Sequence, residues 1–171
     1  MDYLNAIVQV ITYLVMYYAP AMVANASPVF VGRGTPLDFG KRFWDGRRLL
    51  GDGKTWEGLM VGMLFGSTIA CAESVLLDSP ALYVYGLMAV LGALIGDIVS
   101  SFFKRRIGLE RGAPLPLVDQ LDFYVGATAF MIAVGWKPEW KLVALGAIII
   151  VILHKLTNLI AYYLHLKDVP W

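Results

Sequence analysis

Three aspartates, whose side chains could together hold a cation, lie within or at the start of apolar stretches. Asp97 lies well inside "GALIGDIVSSFFKRR", and Asp119 and Asp122 lie near the start of "LPLVDQLDFYVG". Ionisable groups inside a membrane span are costly and usually mark function. Carboxylates that lie close together repel each other unless a cation joins them, and Mg²⁺ suits carboxylate and phosphate oxygens. We therefore predict that Asp97, Asp119 and Asp122 bind Mg²⁺, and a second cation could bind there as well.

Basic and hydroxyl side chains accompany these carboxylates. At helical spacing, the face that carries Asp97 also carries Ser100, Ser101 and Lys104. Lysine binds phosphate as a point charge and arginine as a planar fork, so Lys104 and Arg105 favour a phosphate site. Two simpler interpretations stay open at this point. Asp97 could pair with Lys104 or Arg105, and Asp119 could cap the following helix.

A second candidate for phosphate binding is the stretch "GDGKTWEG", which starts at Gly51. Its Gly-Lys-Thr core is the end of a Walker A loop, but that motif needs a glycine five positions before Gly53, where this chain has Arg48. The stretch still combines glycines that let the backbone approach an anion with a lysine and a hydroxyl. We expect phosphate or nucleotide contacts from three of its residues: Asp52, Lys54 and Thr55.

The composition predicts that apolar helices position these residues. Of the 171 residues, 58% are hydrophobic and only 16% are charged, whereas soluble domains have about 25% charged residues. A spanning helix needs about 20 mostly apolar residues. We predict an all-α, polytopic membrane protein with a single domain over 1–171 and five spans, at about 3–24, 57–77, 81–103, 117–135 and 141–164.

Positive charge is concentrated in two predicted loops. Ten of the fourteen basic residues lie in the first basic loop, predicted at 25–56, and the second basic loop, predicted at 104–116. Since positive charge marks the cytoplasmic side, we predict a plasma-membrane protein with its N-terminus outside and its C-terminus and both loops in the cytoplasm. Aromatic and basic residues in 37–50 favour a segment on the membrane surface, but Gly40 and Gly46 argue against a continuous helix and leave a hairpin as the alternative.

Two motifs resemble those of the CDP-diacylglycerol synthases, the membrane phosphatidate cytidylyltransferases. That family has Ser-x-x-Lys-Arg, a loop and Asp-Arg-x-Asp, and this chain has "SFFKRR" and "DQLD", with Gln120 where the family usually has arginine. The family's Lys-Thr-x-Glu-Gly element is similar to "KTWEG" at Lys54. The residues that fit the longer signature are Ser101, Lys104, Arg105, Asp119 and Asp122.

The chain departs from the larger members of that family in two respects. It lacks their His-Gly-Gly stretch before the last aspartates, having "RGAPLPLVDQLD" instead, and it has fewer predicted spans. Both features resemble the archaeal branch of the family, the CDP-archaeol synthases. Arg111 is the candidate to replace the missing stretch in holding pyrophosphate.

The resemblance implies a Mg²⁺-dependent transfer of CMP from CTP to 2,3-bis-O-(geranylgeranyl)-sn-glycerol 1-phosphate, an isoprenoid ether-lipid phosphate of the membrane. In that reaction Asp97, Asp119, Asp122 and Lys104 would be catalytic. Phosphatidate as the lipid substrate is one alternative, and a non-enzymatic membrane transporter or subunit is another. The sequence predicts no nucleic-acid partner and is compatible with a homo-oligomer.

Overall fold

The computed structural model describes residues 2–110, 112–166, 168 and 169. Within these residues the chain forms helices and no strand, which confirms the predicted all-α class. A 3-10 turn, Ser27–Val31, continues the first helix. The five α-helices are α1 (Asp2–Ala26), α2 (Trp56–Leu76), α3 (Pro80–Arg106), α4 (Val118–Ala133) and α5 (Trp140–Tyr163).

In the described part of the chain, four segments are long and apolar enough to cross a membrane: Tyr3–Val31, Trp56–Leu76, Pro80–Arg106 and Trp140–Tyr163. Helix α4 has 16 residues, which gives it a length of about 24 Å, against about 30 Å for the hydrocarbon core. It is shorter than the predicted span at 117–135. Leu117 and Gly135, both at positive φ, lie just outside the two ends of the helix.

The two basic loops lie at the same end of the helix bundle. Between the helices that flank them, they span residues 32–55 and 107–117. Arg106, at the end of α3, donates from Nη1 to Asp45 Oδ1 of the first basic loop at 2.8 Å. Its guanidinium also lies over the rings of Phe43 and Phe102, 4.7 and 4.9 Å from their centroids. Arg47 in turn donates to the backbone carbonyl of Arg106. These contacts hold the loop against the end of α3.

The first basic loop is a hairpin, which confirms one of the two predicted conformations. Phe43 N donates to Arg47 O at 2.8 Å, and Leu49 N donates to Lys41 O at 3.0 Å. Nearer the helices, Leu37 N donates to Lys54 O at 2.8 Å. The hairpin therefore returns the chain from the end of α1 to the start of α2 and fixes the backbone of the residue that carries the Lys54 side chain.

Helices α3 and α4 touch through their backbones. A Cβ atom on Gly92 would lie 2.2 Å from Gly126 O, and one on Gly126 would lie 2.1 Å from Gly92 O. A Cβ on Gly96 would lie 2.3 Å from Asp122 O. Small residues permit such close approach between membrane helices. The contact places Asp97, the neighbour of Gly96, beside α4 at the level of Asp122.

Candidate active site

Asp97 and Asp122 form a pair of neighbouring, half-buried carboxylates between α3 and α4. They lie close enough for the charge of one to act on the other, and the charge of Lys54 acts on Asp122. Lys54 Nζ donates directly to Asp97 Oδ2, and 24% and 29% of the two side chains is exposed. Helix α3, helix α4 and the first basic loop thus each contribute one charged group to this site. We call Asp97 and Asp122 the carboxylate pair.

Ser100 is the serine that faces Asp122 of the carboxylate pair, whereas the resemblance indicated Ser101. Ser100 is 6% exposed and faces Asp122, and its hydroxyl has no hydrogen bond of ordinary distance and angle. Ser101 is half-buried on the adjoining part of α3. The structure therefore places the Ser100 hydroxyl beside Asp122 at the site.

Asp119, the third predicted metal ligand, is held in a separate ion pair. Lys104 Nζ donates to both of its carboxylate oxygens, at 3.0 and 2.9 Å. The backbone N–H of Leu115 donates to Asp119 Oδ2 at 2.9 Å. Asp119 therefore ties the second basic loop to the first turn of α4. It is not the helix cap that the sequence left open, because the N-cap of α4 is Leu117. The alternative pairing of Asp97 with Lys104 is wrong, because Lys54 holds Asp97.

Within the described residues, no group of three His, Cys, Asp or Glu side chains is placed to hold a metal ion. The structure brings together two of the three predicted aspartates. Mg²⁺ is usually bound by one or two protein carboxylates and completes its shell with water and substrate phosphates. The carboxylate pair, with the Ser100 hydroxyl beside it, fits that donor set.

The remaining predicted residues of "GDGKTWEG" have structural partners. Thr55 is the N-cap of α2, where its Oγ1 accepts from Gly58 N at 3.1 Å. Asp52 Oδ1 accepts from Arg48 Nη2 at 2.7 Å, and the Asp52 side chain is 56% exposed. The capping threonine sets the direction in which α2 leaves the loop. It therefore also sets the position of Lys54, the preceding residue.

Asp38, which the sequence analysis did not single out, organises the first basic loop from within. Its side chain is 1% exposed, and it accepts from the N–H groups of Gly40, Leu50 and Gly51, each at 3.0 Å. Arg48 Nη2 donates to it at 2.7 Å. Burial acts to raise the pKa of Asp38, but these hydrogen bonds hold that pKa well below its usual range. The carboxylate therefore stabilises the turn that leads into Lys54.

Arg105 forms no ion pair among the described residues, although Arg48, Lys54, Lys104 and Arg106 each pair with an aspartate. Its side chain borders the turn at Gly51, where a Cβ atom would lie 3.9 Å from Arg105 Nη1. Its Nε atom is buried without a hydrogen bond. These features fit the predicted phosphate contact. Arg111, the other predicted arginine, lies outside the described residues.

The glycine contact between α3 and α4 escaped the sequence analysis although the sequence carried a signal for it. Gly92 and Gly96 have the Gly-x-x-x-Gly spacing of close helix contacts, and this spacing could have identified the α3–α4 interface. Gln120, which stands where the resembling family has arginine, accepts from the backbone N–H of Leu117 at 2.5 Å. Its side chain therefore supports the start of α4. The role of Asp38 has no comparable signature in the sequence.

Comparisons with known proteins agree with the motifs. The family model of the CarS-like CDP-archaeol synthases matches residues 7–171. The CDP-archaeol synthase of Hyperthermus butylicus is 50% identical over 89% of this chain and 91% of its own. That of Methanopyrus kandleri is 52% identical over 91% of this chain and 90% of its own.

A solved structure shares the fold. It is that of an intramembrane enzyme for archaeal membrane lipid biosynthesis, with a TM-score of 0.82 and 44% identity. The match covers 87% of this chain and 94% of that one. Together with the four long apolar helices of the described part, the likeness makes this chain a multi-pass membrane protein. The family model, the relatives and the shared structure agree that the chain belongs to the CDP-archaeol synthase family.

Proposed function

We propose that this protein transfers CMP from CTP to an archaeal ether-lipid phosphate, 2,3-bis-O-(geranylgeranyl)-sn-glycerol 1-phosphate. The products are the unsaturated CDP-archaeol and pyrophosphate. The carboxylate pair with Lys54 beside it is the observation that carries the proposal. Two carboxylates that can hold a cation lie beside a lysine that can hold a phosphate, where α3, α4 and the first basic loop meet.

In this reaction an oxygen of the lipid phosphate attacks the α-phosphorus of CTP. The bond from that phosphorus to the oxygen that bridges to the β-phosphorus breaks, and pyrophosphate leaves with the electron pair. A phosphate monoester is already largely ionised at neutral pH, since its second pKa is about 6, so the attacking oxygen needs no general base. The task of the protein is to align two polyanions and to stabilise the charge on the leaving group.

Basic side chains at the site supply that stabilisation. Arg105 lies without an ion-pair partner beside the Gly51 turn, and we assign it to the phosphates of CTP. Lys54 lies at the carboxylate pair and would neutralise phosphate oxygens close to the reacting centre. Lys104, held by Asp119, adds positive charge in the last turn of α3. Arg111 of the second basic loop is proposed to contact the departing pyrophosphate.

We assign Mg²⁺ to the carboxylate pair, whereas Asp119 holds Lys104 in a separate ion pair. When bound, the metal would draw negative charge from phosphate oxygens and hold them in place. The residues of the pair hold the cation, and the Ser100 hydroxyl can donate to a phosphate or water oxygen beside it. A second cation stays a prediction from the sequence.

We further propose that both basic loops face the cytoplasm and that the N-terminus lies outside. The charge of the loops favours this orientation, and their position at the same end of the bundle supports it. CTP then enters from the cytoplasm, and the lipid enters sideways with its head group at the membrane surface and its chains between helices.

The test is an incubation of detergent-purified protein with radiolabelled CTP, Mg²⁺ and the unsaturated ether-lipid phosphate, with phosphatidate in a parallel reaction. We expect label in the organic phase with the ether lipid and much less with phosphatidate. Equal or greater labelling of phosphatidate would identify a CDP-diacylglycerol synthase instead. No labelling with either lipid, from protein shown to be folded, would contradict the proposal and favour a transporter or subunit.

A further inference from the structure

Lys54 Nζ occupies a distinctive position at the carboxylate pair. Among the described residues, Lys54 is the one basic side chain in an ion pair with a member of the carboxylate pair, because it donates to Asp97. Its charge also acts on Asp122. The three groups are partly shielded from water, so their charges interact more strongly than they would on an open surface. Two neighbouring carboxylates repel each other, and a positive charge beside them offsets that repulsion.

We infer that Lys54 is an internal counterion of the carboxylate pair and that a divalent cation must displace it to bind there. The inference rests on the proposed function, because it takes Asp97 and Asp122 as the metal ligands. Asp97 cannot bind Lys54 and a divalent cation equally well at the same time, because an ammonium group and a divalent cation that approach one carboxylate repel each other. Metal and lysine therefore compete for Asp97.

The backbone of the loop suits such an exchange. Lys54 O accepts from Leu37 N at 2.8 Å, and the next residue, Thr55, caps α2. The main chain at Lys54 is thus fixed, while its side chain has four carbons with free rotation. A displaced ammonium group stays within reach of the site, where it can bind a phosphate.

This arrangement couples the binding of metal and nucleotide. A phosphate that attracts Lys54 frees Asp97 for the metal, and a metal that takes Asp97 frees Lys54 for the phosphate. Each ligand then strengthens the binding of the other, since coupling between sites is reciprocal. Without nucleotide, Lys54 weakens metal binding.

The chain contains a matched control in Lys104. It is also ion-paired with an aspartate at the same end of the bundle, at 2.9 Å from Asp119 Oδ2. That aspartate also accepts from Leu115 N and lies outside the carboxylate pair. If Lys54 acts only by adding positive charge near the site, loss of Lys104 should have a similar effect. If Lys54 acts as a competitor, only its own loss should matter.

The experiment measures binding of Mn²⁺, as a spectroscopic substitute for Mg²⁺, to the full chain in detergent without nucleotide. Free Mn²⁺ is counted by electron paramagnetic resonance. We expect Lys54→Met to bind Mn²⁺ about tenfold more tightly than the unchanged protein, which corresponds to about 1.4 kcal/mol. Lys54→Arg should stay near the unchanged protein, Lys104→Met should change the affinity less than twofold, and Asp97→Asn should weaken binding.

The same Lys54→Met protein should lose affinity for CTP at saturating Mn²⁺. A gain for metal with a loss for nucleotide cannot come from misfolding, which would weaken both. If Lys54→Met bound Mn²⁺ no more tightly than the unchanged protein, the proposed competition would be overturned. It would also be overturned if Asp97→Asn bound Mn²⁺ as tightly as the unchanged protein. Neither result would decide whether the protein transfers the cytidylyl group, because that activity is measured separately with labelled CTP.

Discussion

Gly96 packs directly against the backbone of Asp122, so closely that a Cβ atom at Gly96 would lie 2.3 Å from Asp122 O. The residue after Gly96 is Asp97. The distance between the two carboxylates of the pair is therefore set by a contact between helix backbones, and not by the side chains alone. The glycines of α3 and α4 belong to the site in this sense, although they carry no functional group.

The first prediction concerns that contact. Gly126→Val should lower both the unfolding temperature and the rate of cytidylyl transfer, because overpacking of a close contact typically costs about 1–3 kcal/mol. The control is Ala133→Val on the same helix, where the side chain is exposed. Thermal unfolding in detergent and the labelled-CTP assay measure the two effects. Normal activity in Gly126→Val would show that the helix spacing does not set the geometry of the pair.

The second prediction separates the three aspartates by role. Asp97→Asn and Asp122→Asn should each abolish turnover, because each removes one carboxylate of the pair. Asp119→Asn should reduce turnover without abolishing it, since it mainly releases Lys104. Rates from single-turnover assays with labelled CTP distinguish these outcomes.

Glu73→Gln is the matched control for those variants. Glu73 lies towards the end of α2 that is remote from the basic loops, and one of its carboxylate oxygens has no hydrogen bond. Its loss should leave turnover close to that of the unchanged protein. If both Asp97→Asn and Asp122→Asn kept near-normal turnover, the assignment of the pair to catalysis would be wrong.

The third prediction concerns Asp38 and pH. The pKa of Asp38 is lowered in the folded protein. Its stabilisation of the loop is therefore complete above the unfolded pKa of about 3.9. It is lost as the pH falls from there towards the folded pKa. At pH 7, Asp38→Asn should expose the first basic loop to protease and raise the KM for CTP. Below about pH 4, the difference between variant and unchanged protein should shrink. A loop as resistant in Asp38→Asn as in the unchanged protein would contradict this role.

The fourth prediction concerns Arg106, which binds the hairpin through Asp45 and the ring of Phe43. Arg106→Lys keeps the charge but loses the planar fork that makes these contacts. We expect weaker CTP binding with little change in unfolding temperature. Arg42→Lys is the control, because Arg42 donates to Gly46 O within the hairpin itself. Equal CTP affinity in both variants would mean that hairpin docking does not support the nucleotide site.

The residues explain why much of this architecture was predictable. Apolar stretches and breaks such as Pro80 identified the five α-helices to within three residues at each end, because length and hydropathy alone determine a span. Charge segregation correctly grouped the two basic loops. By contrast, the sequence could not show which lysine meets Asp97, since Lys54 lies 43 positions away and Lys104 only seven. Partners across a bundle depend on helix packing, which here rests on glycines.

The short helix α4 has a consequence for where the reaction meets the bilayer. Its 16 residues leave it about 6 Å shorter than the hydrocarbon core. Asp97 likewise lies nine residues before the end of α3, about 14 Å along its axis. Such hydrophobic mismatch is relieved when the bilayer thins locally. We expect such thinning to bring a lipid phosphate within reach of the carboxylate pair while the isoprenoid chains stay in the apolar phase.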